Sequence, residues 1–153
     1  MHSYGLGLIV AQCAPRPHDR LLDQFTRNIF RGTARAFGGD AEARRVAAHN
    51  LDNHWDAYTA AQAQFAVVMP LQHSESLADH DALRARVLPR FARKAAAEGA
   101  PPGLAEGVAA FCDDHAEVIK RFGRYPGRNK ALGRENTAEE AAYLASGADT
   151  WGA

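Results

Sequence analysis

Apolar positions along the chain recur three and four residues apart, the spacing of one face of an α-helix, and no stretch alternates with period two for long. Leu21, Leu22, Phe25 and Ile29 share one face of a predicted helix that Pro17 and Asp19 open and Gly32 ends. Asp23, Arg27 and Arg31 line its other face, and Asp23 with Arg27 has the spacing of an intrahelical ion pair. Asp40, after the Gly38-Gly39 break, is placed to cap a second helix. Its stripe of Ala47, Leu51, Trp55 and Tyr58 is interrupted by Asn50, Asp52 and Asn53. A third helix, about 57–68, is expected to bury Tyr58, Ala61, Phe65 and Val68. Pro70 is expected to stop it and to push Met69 into extended geometry.

Ser76 with Asp79 reads as a capping box for a fourth helix carrying Leu83, Val87, Phe91 and Ala95. Pro89 lies inside that pattern and predicts a kink or a restart. Beyond the Gly99–Gly103 linker, the stripe of Leu104, Val108, Phe111, Val118, Ile119 and Phe122 marks a fifth helix that Gly123 closes. Tyr125-Pro126-Gly127 is a turn, and Thr137 with Glu140 is a second capping box, for a short sixth helix ending at Gly147. The fold class that follows is all-α, built of stacked antiparallel helical hairpins.

A length of 153 residues fits one domain with a sizeable core. The expected organisation is a single helical domain over 18–147, preceded by a poorly packed segment 1–17 and followed by a tail 148–153. Lys plus Arg and Asp plus Glu both number 18, so no global field draws the protein to nucleic acid or to a membrane. Cys13 and Cys112 are too few and too distant for a disulfide framework or a thiolate metal site, which points to a cytoplasmic home. The apolar run Leu6–Ala14 is too short to span a bilayer, and no Lys or Arg precedes it as in a signal peptide. Neither a metal nor another cofactor is expected.

Local charge is more informative. From Lys120 to Arg134 the chain carries Lys120, Arg121, Arg124, Arg128, Lys130 and Arg134 with no acidic residue among them. Planar guanidinium forks suit carboxylate or phosphate, so the cluster reads either as an anion site or as structural pairing with acids elsewhere. Arg128 and its neighbour Asn129 follow a proline-stiffened turn and have no local partner, so Arg128 is expected to project from the loop as the main anion ligand. His73 and Glu75, at the end of an apolar helix, are expected close to this loop although about fifty residues away. His115 falls within the apolar stripe of the fifth helix and reads either as a core histidine or as a site residue.

Three stretches carry a resemblance: LLDQFTRNIFRGTARAF (Leu21–Phe37), MPLQHSE (Met69–Glu75), and the run from His115 through RFGRYPGRN to LGRENTAEEAAYL, ending at Leu144. Together they resemble the bacterial family known as domain of unknown function 924. The resemblance implies an all-helical, tetratricopeptide-like superhelix and assigns no catalytic residue. This chain has Thr26 where the family usually has proline and Gly127 where it usually has histidine. Family members also have a further N-terminal helical segment leading into LLDQF, which residues 1–18 do not resemble. The apolar side chains of the first helix are therefore expected to be partly exposed.

The functional expectation is a helical domain that binds a small anion or an acidic peptide. Its candidate ligands are His73, Glu75, His115, Arg124, Arg128, Asn129 and Arg134, with Arg27 and Arg31 from the first helix. The alternative is a hydrolase-type enzyme using His73, Glu75 and His115 as acid–base groups. Neither composition nor pattern fixes the oligomeric state.

Overall fold

The computed structural model describes residues 21–150, so the leading segment 1–17 and the apolar run at 6–14 lie outside it. The described residues form helices and turns only, which makes the fold all-α. Helix α1 (21–29) opens on a wide π turn, Leu21–Phe25, and continues through Thr26–Ile29. Helix α2 (Asp40–Asn53) follows a short 3-10 turn, Ala34–Phe37. Helix α3 (60–72) and helix α4 (77–97) each contain a π turn, Gln64–Val68 and Leu83–Val87. Helix α5 (Leu104–Phe122) is the longest, and α6 (Ala138–Ala145) closes the fold.

The two internal π turns explain how the prolines are accommodated. Met69 N–H bonds to the Gln64 carbonyl, and Leu88 N–H to the Leu83 carbonyl, each five residues back. Pro70 and Pro89 then sit in the first turn of the α-helical segment that follows, where a missing N–H is tolerated. Pro89 thus restarts its helix as the sequence suggested. Pro70 does not stop α3, and Met69 is helical at φ −62°, ψ −44° rather than extended.

The main core gathers Leu51, Trp55, Tyr58, Val67, Leu83, Val87 and Phe91 from α2, α3, α4 and their connections. The α4 stripe is buried as read, whereas α3 turns Ala60, Ala63 and Val67 inward and leaves Ala61 exposed. Gly123 ends α5 with φ 70°, and the Thr137–Glu140 capping box is present in both directions. Two expected caps are absent because their acids work elsewhere. Asp40 is the first residue of α2 and turns its carboxylate to Arg27 and Arg128, and Asp79 accepts a bond from Ser74 Oγ instead of completing a box with Ser76.

The apolar face of α1 is open to solvent in part: Phe25 is 55% and Ile29 is 61% exposed, while Asp23 on the opposite face is 1% exposed. Phe111 of α5 is 50% exposed. The expectation of a partly exposed first helix holds for the described residues.

Two glycines contrast. A Cβ at Gly127 would stand 2.3 Å from the Thr150 carbonyl oxygen, so the close approach of that backbone requires glycine here. Gly107 lies inside α5 with open space where a Cβ would point. Gly107→Ala should therefore raise stability by about 0.5–1 kcal/mol, read by urea unfolding; no change or a loss would mean that its position is not open.

Candidate functional site

The basic loop after α5 comes up against the end of α3, as the sequence suggested. Arg134 holds Glu75 through two bonds, 2.8 and 2.9 Å, and the Tyr125 N–H donates to the same carboxylate at 2.8 Å. Those donors outweigh the effect of burial and hold the Glu75 carboxyl below its usual range. Tyr125 is fully buried and its hydroxyl donates to the Gln72 carbonyl at 2.6 Å.

The arginines of this loop are spent on structure. Arg124 forks onto Glu140 at 2.6 and 2.8 Å, and Asn129 donates to Asn136 and Glu140. These bonds, with the Thr137 N–H, bring the Glu140 carboxyl down to about 2. Arg121 pairs with Glu139 and Lys120 with Glu117.

Arg128 departs furthest from expectation. It is 3% exposed instead of projecting, and donates to Asp40 at 3.2 Å and to the His73 carbonyl at 2.9 Å. Its guanidinium lies 4.3 Å from the Tyr125 ring centre and 4.9 Å from that of Phe37. Its partner Asp40 is 88 residues away, which is why the loop looked unpaired in sequence.

A network of charges runs from Arg128 to α1. Asp40 also accepts from Arg27 at 2.8 Å, and Arg27 Nε donates to the buried Asp23 at 3.0 Å. Burial raises the Asp40 carboxyl against the pull of Arg27 and Arg128. For Asp23 burial acts in the same direction, but the bond and charge of His73 and the charge of Arg27 outweigh it and take the carboxyl well below the usual range. Arg27 Nη1 is buried and has no hydrogen-bond partner among the described residues.

His73 Nδ1 meets both oxygens of Asp23, at 2.8 and 3.0 Å. A carboxylate only accepts, so Nδ1 carries the proton and Nε2 is left for the cleft that the ring lines. That cleft, about 230 Å³, is lined among the described residues by Arg27 and Asn28 of α1, by Arg31 in the turn after it, and by Met69 and Phe111. Arg31 is exposed and makes one long bond, 3.4 Å, to Asn28. Asp23 was legible only as an ion-pair partner of Arg27; its contact with His73 spans 50 residues and left no signal in sequence.

His115 reaches the floor of the same cleft but is a core residue, 2% exposed. Its Nδ1–H donates to the Phe111 carbonyl at 2.8 Å, and its Nε2 accepts from Gln72 Nε2 at 3.2 Å. Burial lowers its pKa to about 3, so the ring is neutral at physiological pH. Cys112 donates to Gln72 Oε1, and burial pushes its thiol up to about 12. Among the described residues, no three His, Cys, Asp or Glu side chains come together as a metal site, and no helix is long and apolar enough to cross a membrane.

Fold and site together define an all-helical protein with a small cleft backed by a buried ion-pair network. The chain belongs to the family described as bacterial protein of unknown function, DUF924, whose profile matches residues 20–148. It is similar, at 32% identity and a TM-score of 0.63, to a solved structure of a protein of unknown function from Agrobacterium tumefaciens. That likeness covers 84% of this chain, which spans 65% of the length of the Agrobacterium protein. No curated protein matches the chain.

Proposed function

We propose that this protein binds a small anion, a carboxylate or a phosphate, in the cleft between α1 and the end of α3. The observation that carries the reading is Arg31, an exposed guanidinium on the cleft lining whose one bond is a long one, to Asn28. Arg27 and Asn28 add donors to the same lining. A volume of about 230 Å³ suits a small head group rather than an acidic peptide. The arginine loop supports the cleft from behind, through Arg128 and the His73 carbonyl, and is not the binding surface.

The enzyme alternative retains only His73, oriented by Asp23 as a general base would be. Glu75 is tied to Arg134, and His115 is sealed into the core. No hydroxyl, thiol or carboxylate among the described residues lines the cleft, so binding is the better-supported reading.

A thermal-shift titration with sodium acetate and inorganic phosphate at pH 7 tests it. An anion at about a hundredfold excess over its Kd should add about 2.7 kcal/mol, a rise in Tm of roughly 5–10 °C for a chain of this size. Arg31→Gln should abolish the shift. A shift that survives in Arg31→Gln and disappears in Arg134→Gln would move the site back to the loop.

A further inference from the structure

A second hollow adjoins the cleft at Met69 and Phe111. It has a volume of about 400 Å³ and runs along the first half of α5 over Leu104, Gly107 and Val108, with Val68 beneath. No charged side chain among the described residues lines this second hollow, where Gln64 and Gln72 are the polar members. All of the positive charge stands at the other end, on Arg27 and Arg31. Leu104 is 37% and Phe111 50% exposed, more than an apolar side chain in a filled core would be. Gly107 keeps the wall low, because nothing lies within 4 Å of where its Cβ would stand and any side chain would fill the hollow.

A cationic end joined to an uncharged apolar trough is complementary to a molecule with one acidic group and an apolar tail. We propose that the two hollows form one site for an aliphatic carboxylic acid of medium chain length. Its carboxylate meets Arg31 and Asn28, and its chain lies across Met69 and Phe111 onto Leu104 and Val108. The inference rests on the anion reading above and adds to it the class of ligand.

Isothermal titration of the full chain with propanoate, butanoate, hexanoate and octanoate at pH 7 provides the test. Affinity should rise about fourfold for each methylene that the trough buries. Arg31→Gln should weaken every acid by a similar factor. Gly107→Leu should leave propanoate unchanged and flatten the gradient, and the exposed-site variant Leu104→Asp should do the same without touching the core. Binding of propanoate and octanoate with equal affinity would overturn the trough and leave the anion site standing. A gradient unaffected by both trough variants would also overturn it, and octanol binding as tightly as octanoate would overturn the cationic end. If none of the acids binds, the anion site and the trough fall together.

Discussion

Replacing Arg128 with alanine is expected to lower stability by about 3–5 kcal/mol, the cost of removing one partner from a buried ion pair. The side chain is 3% exposed and holds three segments together: Asp40 at the start of α2, the His73 carbonyl at the end of α3, and the aromatic faces of Tyr125 and Phe37. Burial and the nearby Arg27 depress its pKa to about 10, which still leaves it charged at neutral pH. Without it Asp40 keeps only Arg27, and the His73 carbonyl loses its donor. The melting temperature should fall on the order of 10 °C. Arg128→Lys should recover less than half of the loss, since one ammonium cannot span both acceptors while lying flat on the two rings. A variant that melts within a degree or two of the parent but has lost anion affinity would instead make Arg128 a ligand.

Between pH 6.5 and 4.5 the protein should lose about 2 kcal/mol through His115 alone. Its pKa in the fold is about 3, against an ordinary value of 6.5. In that window the unfolded chain binds a proton at His115 and the native protein does not, so stability falls as pH falls. His80, also depressed by burial, acts in the same direction. Below that window Glu140 and Asp23 contribute next: both are held below the carboxylate range, so their stabilisation is complete above it and lost on acidification towards pH 2. Asp40, raised by burial, partly offsets them. Urea unfolding at stepped pH should show a shallower slope from 6.5 to 4.5 in His115→Gln than in the parent. Equal slopes would mean that His115 titrates in the native state and is not sealed.

Local signals carried the helices and their ends. The α4 and α5 patterns, the glycine after Phe122 and the Thr137–Glu140 box each lie within a few residues, and each was legible. The open apolar face of the first helix was expected, but which of its residues is buried was not legible. Phe25 and Ile29 form the apolar face of α1, yet its buried side is Asp23, because His73 and Arg27 satisfy that carboxylate. The proximity of His73 and Glu75 to the arginine loop was readable from the need of apolar helices to pack. The assignment of the loop to anion binding was not, because Asp40, Glu75 and Glu140 reach those arginines from 88, 59 and 16 residues away. Pro70 misled for a different reason: a π turn moves the hydrogen-bonding frame by one residue and lets the helix pass.

The central claim is that ligand binds at α1 and His73 while the arginine loop is a brace, and an NMR titration of the ¹⁵N-labelled protein with octanoate tests it directly. The account predicts that the first and largest shifts fall on the side chains of Asn28 and Arg31, with the Arg124, Arg128 and Arg134 guanidinium signals close to their starting positions. Shifts centred on those three guanidinium groups, with Asn28 and Arg31 unmoved, would contradict it.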